Sequence, residues 1–132
     1  MSVSENLIKV REEINEAARR AGRNPGDVTL IAVSKTKPVS LIKEAVAAGA
    51  ADLGENKPQE ITAKYPEFEG DNVRWHMIGH LQKNKVRHII DKVELIHSVD
   101  SVELAEEINK RAAAIDKIQK ILIQVNVTGE DS

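Results

Sequence analysis

The sequence predicts an α/β protein in which about five parallel strands alternate with helices after one leading N-terminal helix. Short apolar runs recur between segments whose apolar residues have helical spacing, and the connections between them are short. This alternation is typical of parallel βα units. No Gly-rich dinucleotide-binding or P-loop fingerprint follows any of the apolar runs. The pattern therefore favours part of a (β/α)₈ barrel over a nucleotide-binding open sheet.

The composition indicates one globular domain without a nucleic-acid or membrane partner. The chain has 132 residues, 41% hydrophobic and 30% charged, and we expect residues 1–132 to form a single domain. The formal net charge of −2 gives no indication of a polyanionic partner. The N-terminal residues lack the long apolar segment of a signal or membrane anchor. The absence of cysteine excludes disulfides and thiol chemistry and fits a cytoplasmic location.

The leading helix and the first strand have clear local signals. Ser2 and Glu5 have the spacing of a capping box and precede apolar residues at helical intervals. Gly22 and the Asn24-Pro25-Gly26 sequence end this helix. Residues 28–33 follow, and both their odd-numbered and their even-numbered positions are apolar apart from one threonine. This pattern predicts a strand that is buried on both faces.

The remaining elements repeat the same order. Pro38 and Pro58 each suit the first turn of a helix. Helices are predicted over about 38–49, 58–65, 79–90 and 101–114, and strands over 51–53, 73–78, 93–98 and 118–127. Strand and helix therefore alternate four times.

Polar residues of interest occur where the predicted strands end. Because the carboxyl ends of parallel strands meet at one edge, we expect these residues to lie on one rim, where α/β enzymes assemble their sites. In strand order they are Lys35, then Asn56, then Gly79 and His80, then Ser98 and Asp100, and finally Asn126 and Thr128.

Lys35 is the leading candidate for covalent chemistry. Alternation places it on the same face as Ile31 and Val33. Its amine would then be desolvated, kept neutral with the help of the neighbouring cation Lys37, and able to attack an aldehyde. The alternative is a lysine that has simply reached solvent at the end of its strand. Spacing alone leaves the two interpretations about equal.

The histidines and the local basic cluster give weaker signals. His76 and His80 are four residues apart, but a predicted strand and Gly79 separate them, so no metal site is expected. His97 lies near a serine and an aspartate but follows no nucleophile elbow, and we expect a hydrogen-bonded structural histidine. The basic residues within 83–88 indicate a solvated helix face, with a nucleic-acid- or protein-binding module as the weak alternative.

Several sequence blocks resemble the pyridoxal phosphate homeostasis protein family. They cover nearly the whole chain, in order and with fitting spacings, and the longest is the most specific. The blocks are Ala32-Val33-Ser34-Lys35, Gly54-Glu55-Asn56 with Gln59-Glu60, the run from Trp75 to Lys85, His97-Ser98-Val99-Asp100, and Gln124-Val125-Asn126.

This resemblance implies a TIM barrel that binds pyridoxal 5′-phosphate and is similar to the N-terminal domain of alanine racemase. By the resemblance, Lys35 holds the cofactor as an internal aldimine, and Asn56, His80 and Asn126 line the cofactor side of the barrel. No residue receives a catalytic role, because the family is regarded as a carrier and buffer of the cofactor in vitamin B6 homeostasis. The alternative is an alanine-racemase-fold enzyme acting on amino acids, in which Lys35 would also serve as an acid or base.

The length of the chain modifies this expectation. A complete barrel needs roughly 250 residues and eight strands, whereas about five strands are predicted here. We therefore expect the N-terminal part of a barrel, truncated after the fifth strand, which keeps the imine-forming lysine and lacks the phosphate-binding loops. Open sheet edges would favour a homo-oligomer or a domain-swapped assembly.

Overall fold

The structure is a computed structural model that describes residues 2–128. Five parallel strands form one sheet, and their order in the sheet is the same as their order along the chain. The strands are β1 (Ile31–Val33), β2 (Asp52–Glu55), β3 (Arg74–Met77), β4 (Val93–Val99) and β5 (Lys120–Ile123). Each strand pairs in parallel with the next. A doubly wound sheet would reverse its order at a switch point, so this arrangement corresponds to successive βα units of a barrel. The predicted partial barrel is confirmed.

The helices follow the predicted alternation. They are α1 (Val3–Arg20), α2 (Val39–Ala47), α3 (Pro58–Lys64), α4 (Val86–Ile89) and α5 (Val102–Ala114), with short 3₁₀ turns at Pro25–Asp27, Tyr65–Phe68 and Lys83–Lys85. Within residues 2–128, none of the helices has the length and apolar character needed to cross a membrane.

The predicted helix caps are present. The hydroxyl of Ser2 accepts the backbone N–H of Glu5 at 3.1 Å and donates to the Glu5 carboxylate at 3.1 Å. The hydroxyl of Ser101 accepts the backbone N–H of Leu104 at 3.1 Å. Gly22 has a φ of 73° and ends α1 in the left-handed conformation that glycine adopts without strain. These local signals therefore fix the starts of α1 and α5 and the end of α1.

The hydrophobic core lies between the helices and one face of the sheet. Its members are buried aliphatic side chains and two aromatic rings, Phe68 and Trp75, which pack edge to face with centroids 5.6 Å apart. The strands contribute Leu53, Trp75, Met77, Val93 and Ile96, and the helices contribute Ile61, Val86, Ile89, Leu104 and Ile108. The opposite face carries polar residues such as Arg74 and His76. Helices thus cover the side of the sheet that forms the outside of a barrel.

The first strand is shorter and more exposed than predicted. β1 covers Ile31–Val33 rather than residues 28–33. The side chain of Val33 is 52% exposed, and Ile31 is only half-buried. Burial on both faces was therefore wrong for β1, because helices cover only one face and β1 lies at an edge of the sheet, paired with β2.

Two later boundaries also differ. Residues 79–82 are not helical, and α4 begins only at Val86. The reason is the close approach of Gly79 to Asn56 at the end of β2, which holds Gly79 against the neighbouring strand end rather than in a helix. β5 ends at Ile123, so Asn126 lies beyond the strand that was predicted to contain it. The ends of the predicted domain, residue 1 and residues 129–132, lie outside the described residues.

Candidate functional site

Lys35 lies in a tight turn directly after β1, at the carboxyl edge of the sheet. The turn is closed by the backbone N–H of Lys37, which donates to the carbonyl of Ser34 at 3.2 Å. Thr36 has a φ of 63°, a left-handed conformation that is strained for a residue with a β-carbon. Lys35 is exposed to solvent. Of the two interpretations, the structure supports the lysine that has reached solvent and not the desolvated amine, because the strand ends before the inward alternation reaches this residue.

A buried polar network ties the turn to β2. The backbone N–H of Ser34 donates to the Gly54 carbonyl at 2.9 Å, which extends the ladder between β1 and β2. The Ser34 hydroxyl donates to the carboxylate of Glu55, a residue with no exposed surface. Ser34 itself is buried. The start of the turn is therefore fixed inside the protein, although Lys35 is outside it.

Two residues of α3 complete the network. The Lys64 ammonium donates to the Ser34 carbonyl at 2.8 Å, to Glu55 at 2.9 Å and to Glu60 at 3.0 Å. The same Glu60 oxygen accepts the backbone N–H of Thr36 at 3.0 Å. Lys64 is only 8% exposed, so its three hydrogen bonds are what satisfies its buried charge.

The two carboxyl groups of this network have opposite ionisation tendencies. Burial raises the pKa of Glu55, and its hydrogen bond to Glu60 raises it further. The pKa of Glu60 is lowered to about 2 by the hydrogen bond from Glu55, by the Thr36 N–H and by Lys64. The pair therefore favours a proton on Glu55 and a negative charge on Glu60, which Lys64 balances.

Asn56 and Gly79 meet at the ends of β2 and β3. Asn56 lies two residues beyond Gly54, just as Lys35 lies two residues beyond Val33, and Val33 and Gly54 are paired in the sheet. A β-carbon added at Gly79 would lie 2.5 Å from the Asn56 carbonyl oxygen and 2.8 Å from its α-carbon. Only glycine permits this approach. Lys35 and Asn56 thus lie at the same level on neighbouring strands.

His80 and Asn126 are the outlying members of the predicted set. The side chain of His80 is 71% exposed, and its Nδ1 lies 3.8 Å from a carboxylate oxygen of Asp100. Asn126 is exposed beyond β5 and accepts a hydrogen bond from the Thr128 hydroxyl at 3.1 Å. β5 is separated from β1 by three strands. The structure therefore brings Lys35 and Asn56 to adjacent strand ends, with His80 on the following one and Asn126 farther along.

A chain of hydrogen bonds on the inner face of the sheet was not predicted. Asp52 accepts two hydrogen bonds from Arg74, at 2.8 and 2.7 Å, and contacts His76 Nε2 at 2.8 Å. His76 Nδ1 lies 2.9 Å from His97 Nε2, so His97 is hydrogen-bonded as expected. Asp52 and Arg74 are the first residues of their strands. This chain consequently lies toward the opposite end of the strands from Lys35.

Burial and charge determine the ionisation of this inner chain. Burial favours the neutral form of Asp52, but the hydrogen bonds from Arg74 and His76 outweigh it and lower its pKa. Burial, together with the neighbouring His76, lowers the pKa of His97. The chain therefore consists of an ion pair that continues into two imidazoles. Among the described residues, no group of three or more acidic, histidine or cysteine side chains could hold a metal ion.

The network around Glu55 was also missed, although one part of it had a sequence signal. Glu60 and Lys64 are four residues apart on α3, the spacing at which oppositely charged side chains meet on a helix. Their contacts with Ser34 and Glu55 depend on the register between β1 and β2, which no local sequence pattern indicates.

Comparison with known proteins gives a consistent result along the chain. Residues 6–130 match the family described as the alanine racemase N-terminal domain. A pyridoxal phosphate homeostasis protein of Pseudomonas aeruginosa is 43% identical over 99% of this chain and 57% of its own length. The proteins of the same name from Aquifex aeolicus and Escherichia coli K12 are 43% and 41% identical over 58% and 57% of their lengths. The chain thus spans a little over half the length of these relatives.

Solved structures agree with the fold. The crystal structure of an unknown protein from Bifidobacterium adolescentis superposes with a TM-score of 0.87 and 35% identity, over 98% of this chain and 57% of that one. PipY of Synechococcus elongatus PCC7942, solved with PLP bound, gives a TM-score of 0.74 and 39% identity over 86% and 54% of the two chains. The chain belongs to the alanine racemase N-terminal domain family, and its similarity to the pyridoxal phosphate homeostasis proteins, anticipated from its sequence blocks, is confirmed.

Proposed function

We propose that this chain binds pyridoxal 5′-phosphate through Lys35 and serves in intracellular homeostasis of that cofactor rather than in catalysis. The observation that carries this proposal is an accessible amine directly after β1. It lies on a turn whose backbone is hydrogen-bonded to Lys64 before the amine and to Glu60 after it. The names of the bacterial relatives and the PLP-bound PipY structure support the same cofactor.

The residues of the rim fit one part of this cofactor. An exposed amine suits its aldehyde, and the Asn56 amide and the His80 imidazole offer hydrogen-bonding groups at neighbouring strand ends. A phosphate group is commonly held by arginine or by backbone N–H groups. No arginine within residues 2–128 lies in a loop that follows a strand. The described residues therefore fit the aldehyde end and lack arginine for the phosphate.

Lys35 would supply the covalent attachment. When bound, the cofactor would supply an aldehyde group, and the Lys35 amine would hold it covalently with loss of water. Asn56 and His80 would orient the bound ring by hydrogen bonds, and Asn126 would reach it from the side of β5. We also infer that residues 1–132 act as one domain that forms this part of the barrel.

Labelling with borohydride tests the proposal. The protein is incubated with pyridoxal 5′-phosphate, reduced with borohydride, and the modified lysine is located by mass spectrometry. We expect Lys35 to carry most of the label and Lys35→Ala to lose the accompanying change in cofactor absorbance. Equal labelling of many lysines, with no effect of Lys35→Ala, would refute the assignment. A racemisation assay with amino acids decides between the binding role and the alternative enzyme.

We further infer that copies of this chain associate in solution. β1 and β5 are the edges of the sheet, and Val33, Leu122 and Ile123 are exposed apolar residues on these strands. Unpaired strand edges with apolar side chains promote pairing with another chain. Light scattering should give a mass above that of one chain, and a monomer at all concentrations would contradict this inference.

A further inference from the structure

We propose that Glu60 is a positioning residue for Lys35: by holding the Thr36 N–H, it fixes the turn from which the amine reaches its aldehyde. The inference rests on the proposed function, since it concerns the same lysine. It adds a residue that does not contact the reacting atoms and that lies on α3.

Hydrogen bonds hold backbone groups on both sides of Lys35. The Ser34 carbonyl accepts from Lys64 and from Lys37, and the Lys35 carbonyl accepts the Thr36 hydroxyl at 2.6 Å. The Thr36 N–H is held by Glu60 at 3.0 Å. Of these contacts, only those of Lys64 and Glu60 come from outside the turn. α3 therefore determines the direction in which the turn leaves β1.

The strained residue explains why an external acceptor is needed. Thr36 has a φ of 63°, and a non-glycine residue stays in this region only when its surroundings hold it there. The Glu60 side chain reaches from α3 and supplies that acceptor, with its carboxylate oxygen 3.0 Å from the Thr36 nitrogen. Lys64 and the fully buried Glu55 in turn fix the Glu60 carboxylate. The buried part of the network consequently contacts the turn on both sides of Lys35, at Ser34 through Lys64 and at Thr36 through Glu60.

Two conservative variants distinguish the effect of the length of the Glu60 side chain from the effect of its charge. Glu60→Gln keeps an oxygen at the same distance along the side chain but removes the charge. Glu60→Asp keeps the charge but withdraws the carboxylate by one methylene, beyond easy reach of the Thr36 N–H. If the contact positions the turn, the Gln variant should retain the selectivity for Lys35 and the Asp variant should lose it.

The first readout is the ratio of borohydride label at Lys35 to label at Lys37 after incubation with pyridoxal 5′-phosphate. Losing a hydrogen bond to a charged group corresponds to roughly a tenfold change. We expect the ratio to fall about tenfold in Glu60→Asp and to stay within about twofold of the wild type in Glu60→Gln. Hydrogen exchange of the Thr36 amide, measured without cofactor, should be faster in the Asp variant only.

Asp71→Asn serves as the control, because its ion pair with Lys43 at 2.6 Å lies away from the turn. This variant should leave both readouts unchanged. Unfolding in urea is measured for all variants. If Glu60 had a purely structural role, the ratio of label at Lys35 to label at Lys37 would fall in proportion to the loss of stability. The inference is overturned if the Gln variant loses selectivity as much as the Asp variant, or if the Asp variant keeps it. Absence of Lys35 labelling in the wild type would instead refute the proposed function.

Discussion

The ionised state of Glu60 should make the stability of this protein depend on acid pH. Glu60 has a pKa of about 2 in the folded protein, against an ordinary value of 4.5. Because the folded-state pKa is the lower one, Glu60 stabilises the fold above pH 4.5, and this contribution is lost as the pH falls from 4.5 towards 2. In Glu60→Gln the contribution is absent at every pH.

The size of the contribution of Glu60 to stability follows from its folded and ordinary pKa values and from the exposure of its side chain. A difference of about 2 to 3 pKa units corresponds to about 3 kcal/mol. The Glu60 side chain is 24% exposed, and solvent screening reduces the contribution to about 2 kcal/mol. At pH 7, Glu60→Gln should therefore be about 2 kcal/mol less stable than the wild type.

Urea unfolding, followed by circular dichroism at pH 7, 4 and 2.5, measures this difference. The gap between the wild type and Glu60→Gln should narrow steadily as the pH is lowered. Asp71→Asn, in a partly exposed ion pair elsewhere, should show a gap well below 1 kcal/mol. A wild-type to Glu60→Gln gap that stays constant from pH 7 to 2.5 would show that the network does not hold Glu60 ionised.

Three further changes have defined outcomes. Gly79→Ala places a β-carbon 2.5 Å from the Asn56 carbonyl oxygen, and should cost about 2–3 kcal/mol in urea unfolding; an unchanged midpoint would contradict the close approach. Ser101→Ala removes the cap of α5 and should cost about 1 kcal/mol in thermal unfolding, with Ser101→Asn restoring most of it. Lys64→Met leaves the Glu60 carboxylate without the cation that balances it and should cost about 3 kcal/mol at pH 7. Because the pKa of Glu60 is lowered to about 2, the carboxylate is ionised at pH 5 as well and the cost should persist there; a cost that vanishes at pH 5 would argue against this.

Local chemistry made several elements predictable. The hydroxyls of Ser2 and Ser101 and the left-handed Gly22 act within a few residues of themselves, so their effects could be inferred without knowing the fold. The recurrence of short apolar runs likewise predicted parallel βα units, because that order leaves few other topologies.

The failures have physical causes. Residues 79–82 have a helical pattern, but the contact of Gly79 with Asn56 decides their conformation. The sequence predicts that the last strand continues through residues 124–127, yet β5 ends at Ile123. For Gly79 a contact between segments distant in sequence outweighs a local preference, whereas residues 124–127 are exposed and lack the burial that their apolar pattern predicts.

By itself, the sequence determined the fold class, the family resemblance and the position of Lys35 after the first strand. These depend on periodicity, caps and short blocks of neighbouring residues. The tertiary structure alone decided that Lys35 is exposed, that Glu60 and Lys64 hold the turn around it, and that Asp52, Arg74 and His76 form a chain on the inner face. Those contacts require β1, β2 and β3 to pair in the correct register and α3 to pack beside them. The register depends on the packing of the whole sheet against its helices.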